Sequence, residues 1–264
     1  MNGFSAEWLA LREPADAAAR SSEVVSFVGR PFPGRLVDLG GGTGSNIRYL
    51  SVRLPSPQDW ILVDHDPALL ARAPEGITTL CADLNRVVND DALFRGCALV
   101  TASALLDLVS ETWLRRLIGR CQTAEAAVLF ALSYDGRLEC SPAEAQDDDV
   151  RQLVNEHQRT DKGLGAALGP DAAMRAVEWL SDAGYETRYE RSDWRLGAES
   201  SELQRQLIDG WVSAASELAP DRRPQFADWR RRRLDHVDAG RSRIVVGHLD
   251  VAGIRRAYTS PDRL

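Results

Sequence analysis

The 264-residue sequence has no apolar run that approaches the ~20 residues of a membrane-spanning helix. Its first segment carries Glu7, Arg12 and Glu13 where a secretory signal has an uninterrupted apolar stretch. We therefore expect a cytoplasmic protein with no membrane partner.

Cysteine is scarce, with four residues in the chain. These cysteines form no CxxC pair and no Cys/His ligand pattern; they are Cys81, Cys97, Cys121 and Cys140. Wide spacing is typical of buried thiols in a reducing compartment and argues against structural disulfides and a zinc site. We expect no bound metal.

An excess of positive charge is also missing, because 32 basic residues face 39 acidic ones and the net charge is −7. Such a surface does not attract nucleic acid over long distances. The basic run at 230–233 has Asp228 and Asp235 beside it, which favours a solvated helix face. A nucleic-acid partner is therefore not expected, and the only lysine is Lys162.

Short apolar runs alternate with amphipathic stretches from residue 35 onward, which is typical of βα units on a parallel sheet. This pattern predicts a single α/β domain with a doubly wound, mostly parallel sheet of seven strands. The predicted strands are 35–39, 60–64, 77–81, 97–102, 126–133, 185–194 and 243–249. Helices are predicted at 44–54, 67–73, 110–121 and 170–183, with a short one near 90–95.

Three segments lie outside this regular alternation. Residues 1–34 are predicted to form a helical cap, in which Pro14 opens a helix that runs towards Val28. Residues 137–169 and the helical stretch 198–240 are predicted to be insertions near the site. In an open α/β sheet a ligand binds beyond the carboxyl ends of the strands, so all three segments are expected to cover an acceptor there.

The most informative run is VDLGGGTGSN at 37–46, where a strand ends in Asp38 and turns through four glycines into a helix. Such glycines let a ligand lie against bare amides at a helix N-terminus. The spacing is GxGxG, and Ser45 stands where a dinucleotide fingerprint has its third glycine. Asp38 would repel bridging phosphates but would suit an ammonium group.

Two later strand ends add carboxylates to this loop. Asp64 ends the second strand, where a carboxylate accepts the hydroxyls of a ribose. Asp83 follows the third strand and is placed to accept from an adenine amine, with the amide of Leu84 beside it. Three successive strand ends are therefore expected to bind different parts of one nucleoside-like ligand.

These motifs resemble the class I S-adenosylmethionine-dependent methyltransferases over about residues 35–135. VDLGGGTG is similar to their first motif, LVDHDPALL to the second, CADL to the third and TASALLDLVS to the fourth. The resemblance implies a Rossmann-like fold and S-adenosylmethionine as cofactor. It places the methionine part on Asp38, Gly40 and Gly42 with the backbone of Ser103 and Ala104, the ribose on Asp64, and the adenine on Asp83 and Leu84. His65 either packs on the adenine or is an exposed residue at a helix start.

Methyl transfer to a hydroxyl requires alignment of donor and acceptor and removal of one proton. The candidate bases are His157, Asp107 and Tyr134, each with an alternative structural role. Arg12 and Arg20 lie at helical spacing in the cap, and Arg159 and Lys162 lie in the glycine-rich stretch 157–170. We expect these four cations to contact the acceptor.

The leading hypothesis is therefore methylation of a small-molecule acceptor, with oxygen favoured over nitrogen or carbon. Three alternatives remain at this stage: a nucleic-acid methyltransferase, a nicotinamide-dependent oxidoreductase, and a non-catalytic protein with a methyltransferase fold. The oligomeric state is not indicated by the sequence.

Overall fold

The computed structural model describes residues 5–29, 32 and 34–255. Its centre is one sheet, in which β3, β2, β1, β4 and β5 are neighbours in that order and run parallel. Strand β8 follows β5 and is antiparallel to it, and β6 and β7 both pair with the far side of β8. The strands are β1 (Arg35–Leu39), β2 (Asp59–Asp64), β3 (Thr78–Cys81), β4 (Cys97–Ser103), β5 (Ala127–Ser141), β6 (Tyr185–Arg191), β7 (Trp194–Leu196) and β8 (Arg243–Arg255).

Helices cover both faces of this sheet because each face carries apolar side chains that must leave water. One core lies under α7 and α9, and another lies under α2 and α3. The helices are α1 (Ala6–Ala19), α2 (Ser22–Phe27), α3 (Ser45–Ser51), α4 (Pro67–Leu70), α5 (Leu84–Val87), α6 (Asp91–Phe94), α7 (Glu111–Thr123), α8 (Asp147–Gln158), α9 (Ala172–Asp182), α10 (Ser201–Leu218) and α11 (Arg223–Asp238).

A third core lies where β5 and β8 continue past the parallel sheet. It is formed by the ends of these two strands with β7, α8, α10 and α11, and the apolar side of α1 packs against it. Trp229 and Arg233 of α11 are fully buried in this layer, and both donate hydrogen bonds to Asp147 at the start of α8. The helices after β5 and before β8 are therefore fixed to one another and to the sheet.

The predicted α/β architecture is confirmed, and two strand boundaries differ from the prediction. The single strand predicted at 185–194 is two strands, because Ser192 N–H donates to the His248 carbonyl and the carboxylate of Asp193 accepts from His248 N–H. Strand β5 continues to Ser141, so residues 137–141 of the predicted insertion belong to the sheet. The rest of that segment contains α8, and 198–240 is helical as predicted.

The N-terminal prediction was wrong about where helices begin. Helix α1 begins at Ala6, with the hydroxyl of Ser5 accepting from Trp8 N–H, and Pro14 lies inside it. The chain leaves helical geometry at Arg20, and Ser21 caps the separate helix α2. This break is tertiary in origin, because Arg20 and the Ser21 amide both bind the buried Asp250 of β8.

Within the described residues, no helix is long and apolar enough to cross a membrane. The same part of the chain holds no group of three or more His, Cys, Asp or Glu side chains arranged to bind a metal ion.

Candidate functional site

The glycine loop connects β1 to α3 at the carboxyl edge of the sheet. Gly40 and Gly42 have φ values of +62° and +55°, which side chains of L-residues rarely tolerate. At Gly41 an added Cβ would lie 2.4 Å from Oδ2 of Asp38, so only glycine lets that carboxylate lie under the loop. The sequence motif is therefore needed for the loop to form.

Asp38 is fully buried at the end of β1. Its Oδ1 accepts a 2.7 Å hydrogen bond from Nδ2 of Asn46, while its Oδ2 has no partner in the part of the chain that the structure describes. Burial raises the pKa of Asp38 to about 7, and the Asn46 hydrogen bond and the nearby Arg20 charge oppose that rise. An unpaired buried carboxylate oxygen is costly, which favours a ligand that supplies a hydrogen-bond donor.

Asp64 ends β2 and is also buried. Its Oδ2 accepts from Gly42 N–H at 2.9 Å, and its Oδ1 accepts from Asp66 N–H at 3.0 Å. Each oxygen retains capacity for a second donor, as a ribose diol requires. His65 lies 3.2 Å from Oδ1 through Nδ1, and its ring is mostly exposed.

The remaining predicted donor residues surround the loop. Asp83 caps α5 by accepting from Asn85 N–H, and it is exposed. The side chains of Leu84 and Leu105 lie over Gly40. Ser103 ends β4, and Ala104 has a φ of +53° while its N–H donates to the Ala131 carbonyl of β5. Such strain in a non-glycine residue is typical of functional sites.

Helix α1 lies across this edge. A Cβ added to Gly42 would be 2.8 Å from Cδ1 of Leu9, so α1 contacts the glycine loop directly. Next to that contact is a cleft of about 200 Å³, whose lining includes Arg20, Asn46 and Ser103. Ligand pockets are usually about 300–1,000 Å³, so this cleft as it stands encloses only part of a nucleoside-sized ligand.

Arg20 closes one side of this cleft, although the sequence predicted an acceptor contact. Its Nε donates to Asp250 at 3.3 Å and its Nη1 donates to Oδ1 of Asn46 at 2.8 Å. The guanidinium stacks 4.6 Å from the ring of Tyr49. Nη2 is buried and has no partner. The arrangement therefore offers one free cationic donor beside the carboxylate of Asp38.

A second polar cluster lies under α1, around Tyr134. Asp107 is buried, its Oδ1 has no partner, and burial raises its pKa to about 6. Tyr134 lies opposite His248 in the pairing of β5 with β8, and Nδ1 of that buried histidine has no partner. Arg12 lies over the ring of Trp194, which contacts that of His248. Burial and the Arg12 charge lower the pKa of His248, and the same charge opposes the rise that burial causes at Asp107.

Two of the three predicted bases have their polar atoms engaged elsewhere. Tyr134 donates its hydroxyl to Oδ1 of Asn155 at 2.8 Å, and burial raises its pKa further. His157 contacts Glu217 through Nε2 at 3.0 Å and Lys162 through Nδ1 at 3.1 Å. The Tyr134 hydroxyl and both ring nitrogens of His157 therefore have partners, whereas Oδ1 of Asp107 has none among the described residues.

The predicted cations also differ in their surroundings. Arg12 forms a two-pronged ion pair with Asp16 and lies 4.9 Å from the ring of Trp194. Arg159 pairs with Asp171 in a more exposed position. Partial burial lowers the pKa of Lys162, which contacts His157 and Thr160. The structure thus places Arg12 on Trp194, beside the cluster around Tyr134, and it groups Lys162 with His157.

Three residues of this site are not among those predicted from the sequence: Asn46, His248 and Asp250. Asn46 joins Asp38, Thr101 and Arg20 through its side chain. His248 and Asp250 are polar residues two apart in the otherwise apolar stretch IVVGHLDVAG, which was the available signal. Their common face of β8 follows from the period of two in a strand.

The residues at the glycine loop fit the methionine end of S-adenosylmethionine. That end carries an ammonium and a carboxylate, and the loop offers an unpaired Asp38 oxygen and an unpaired Arg20 nitrogen. The glycine backbone carries no side chain there, and Leu9 of α1 covers it at Gly42.

Comparison with known proteins supports the same architecture. A geranyl diphosphate C-methyltransferase from Streptomyces coelicolor, solved with Mg²⁺, geranyl diphosphate and S-adenosyl-L-homocysteine, superposes with a TM-score of 0.50 at 11% identity, covering 97% of this chain and 88% of that one. The protein has the class I methyltransferase fold. At this identity the likeness establishes the fold alone.

Two further solved structures are similar at lower scores. The cyclopropane synthase MmaA2 from Mycobacterium tuberculosis has a TM-score of 0.49 at 10% identity, with 94% of each chain covered. A phosphoethanolamine N-methyltransferase from Haemonchus contortus has a TM-score of 0.44 at 14% identity; 89% of this chain is covered, and this chain spans about half, 52%, of that one. No protein-family model matches the sequence, and the comparison with curated proteins gives no match.

Proposed function

We propose that the protein is an S-adenosylmethionine-dependent methyltransferase that acts on a small-molecule acceptor. One observation carries this proposal: two buried atoms on groups of opposite charge, Asp38 Oδ2 and Arg20 Nη2, have no partner among the described residues. Both side chains bind Asn46, which follows the glycine loop. A zwitterionic amino-acid moiety would satisfy both, with its ammonium on Asp38 and its carboxylate on Arg20. Arg20 is thereby assigned to the donor.

The rest of the donor follows from the neighbouring strand ends. Asp64, already oriented by Gly42 N–H, accepts the ribose hydroxyls. Asp83 and Leu84 hold the adenine, and His65 is placed to pack on it. The bound donor supplies an electrophilic methyl group; the residues of this chain fix its position and exclude water.

On the acceptor side, we propose oxygen as the methylated atom and Asp107 as the base. The acceptor oxygen forms a bond to the methyl carbon, the carbon–sulfur bond breaks with its electron pair going to sulfur, and the hydroxyl proton goes to Asp107. A base with a pKa near 6 is suited to this task at neutral pH.

The cap 1–34 and the segments 137–169 and 198–240 are proposed to enclose a compact acceptor. Helix α1 packs against the core that contains Tyr134, and α8 and α10 pack together beside the end of β5. A small-molecule acceptor is favoured over nucleic acid because the arginines of the basic run 230–233 are already paired with acidic side chains. Their partners, in chain order, are Asp209, Asp235, Glu144 and Asp147. Arg159 and Lys162 remain candidates for the outer part of the acceptor.

Calorimetric titration with S-adenosylhomocysteine tests the donor assignment. Wild type is expected to bind it and to show no heat with NADH. Arg20→Met should weaken binding by roughly 10–100-fold, since hydrogen bonds to charged groups contribute about 1.5–3 kcal/mol. Arg188→Met is the matched control, because Arg188 pairs with Glu23 on the surface and should leave affinity unchanged.

Preferential binding of NADH would overturn the proposal in favour of an oxidoreductase. Donor binding without transfer of a labelled methyl group to any component of a small-molecule cell extract would instead favour a non-catalytic protein.

A further inference from the structure

His248 lies in the polar cluster around Tyr134, and no step of the mechanism above uses it. It lies on β8 directly opposite Tyr134 of β5, and its ring contacts that of Trp194 at 5.1 Å between centroids. Only 5% of the residue is exposed, yet Nδ1 makes no hydrogen bond with any residue of the described ranges 5–29, 32 and 34–255. A buried histidine normally has a partner for its polar atoms, so the absence of one is informative.

Asp107 also lies beside this tyrosine. It lies on the short turn Leu106–Leu108 after β4, and the backbone N–H of Tyr134 is near enough to favour its charged form. Its Oδ1 is also buried without a partner. The two unpaired groups therefore flank one residue, at the carboxyl end of the parallel part of β5.

Helix α1 brings the positive charge of Arg12 to this cluster. Arg12 is fixed by two hydrogen bonds to Asp16, which also accepts from Nε1 of Trp194. Arg12 influences both Asp107 and His248, and burial together with this charge lowers the pKa of His248 to about 3. The carboxylate of Asp193 and the backbone of Val246 raise the pKa of His248, whereas Arg137 lowers it as Arg12 does. The imidazole is therefore neutral.

We propose that His248 and Asp107 together bind the reacting hydroxyl of the acceptor, beneath Arg12. A hydroxyl donates one hydrogen and accepts others, so it can donate to Asp107 and accept from a neutral imidazole N–H. An acceptor carbon would leave both buried groups unpaired, and methylation of a neutral amine would create a positive charge on nitrogen next to Arg12. The acceptor class is thus an uncharged alcohol or phenol group. This inference rests on the proposed methyltransferase function.

The first arm of the test needs no known acceptor. A buried polar group that has no partner in the free protein lowers stability. His248→Leu should therefore raise the melting temperature, by roughly 2–4 °C if about 1 kcal/mol is recovered. His236→Leu is the matched control: His236 bonds Glu144 at 2.9 Å, so its loss should lower the melting temperature. A fall with His248→Leu like that of the control would overturn the proposal.

The second arm measures transfer from ¹³C-methyl-labelled S-adenosylmethionine to a small-molecule cell extract. The carbon shift of the label distinguishes methyl groups on oxygen, nitrogen and carbon. We expect label on oxygen, a loss of roughly 100-fold or more in Asp107→Asn, and a loss of at least 10-fold in His248→Leu. Both variants should bind S-adenosylhomocysteine as wild type does, and His236→Leu should transfer normally.

Label on nitrogen or carbon, or normal transfer in both site variants, would overturn the inference while leaving the donor assignment intact. Failure of wild type to bind S-adenosylhomocysteine would instead contradict the proposed function itself. In that case the stability comparison still decides whether His248 is structural.

Discussion

The ion pair between Arg20 and Asp250 is expected to hold α1 and α2 onto the sheet. Asp250 is fully buried and accepts three hydrogen bonds, from Arg20 Nε at 3.3 Å, Ser21 N–H at 3.0 Å and Leu132 N–H at 2.8 Å. Asp250→Ala removes all three and leaves a guanidinium that is 2% exposed without its anion. Breaking a buried pair in this way costs about 3–5 kcal/mol.

Urea denaturation followed by fluorescence measures this loss as a shift in midpoint at constant slope. The same loss should lower the melting temperature by roughly 6–20 °C. Arg20→Met combined with Asp250→Leu should be less destabilising than the sum of the two single changes, because neither charge is then left alone. The exposed pair Arg188–Glu23 is the control and should contribute at most about 1 kcal/mol. A loss below about 1 kcal/mol for Asp250→Ala would refute this reasoning.

Three further predictions concern the glycine loop and its carboxylates. Gly42→Ala should lower the free energy of unfolding by about 1–2 kcal/mol because of the positive φ at this position, and by a further amount because the new Cβ clashes with Leu9. Adding Leu9→Ala should relieve the clash, so chemical denaturation of the single and double variants separates the two contributions. Leu9→Ala alone should speed the association of S-adenosylhomocysteine in stopped-flow measurements, and an unchanged rate would mean that α1 does not limit entry. Because burial raises the folded pKa of Asp38 to about 7, the folded chain keeps a proton that an unfolded aspartate loses near pH 3.9, so this group's contribution to stability is lost as pH rises from about 4 to 7. The pKa of His248 is lowered to about 3, so this histidine makes the stability of the fold rise with pH below about pH 6.5. Because His248 is present in both proteins, the test compares Asp38→Asn with wild type at each pH. The free energy of unfolding of Asp38→Asn relative to wild type should rise by roughly 3–4 kcal/mol between pH 4 and pH 8, and a constant difference would contradict the assignment.

The donor side of the site could be predicted from the sequence because its signals are local. Asp38, the glycines and Asp64 each stand at the end of an apolar run, and parallel strands bring such ends to one edge. The backbone of the loop then follows from residues that tolerate positive φ, as at Gly42. The fold class follows from the same alternation of strands and helices.

The acceptor side could not be predicted in the same way because its contacts join distant parts of the chain. Asp250 interrupts the predicted N-terminal helix at Arg20 from 230 residues away. His248 is one polar position in an apolar strand, and only the antiparallel placement of β8 beside β5 brings it to Tyr134. Local patterns carry no information on such pairings.

The role of His157 stays a prediction. The sequence placed it in a flexible loop, whereas the structure places it at the end of α8 between Glu217 and Lys162. Its engagement on both ring nitrogens does not test a contact with the outer part of an acceptor. Asp107 is the one predicted base whose carboxylate keeps a buried unpaired oxygen.

The most direct test of the account is a crystal structure of the protein with S-adenosylhomocysteine bound. We predict the carboxylate of the ligand on Nη2 of Arg20, its ammonium on Asp38 and its ribose on Asp64, with α1 displaced from Gly42. The sulfur should face the gap between Asp107 and His248. A ligand that binds away from the glycine loop, or one whose sulfur faces away from Asp107, would contradict the account.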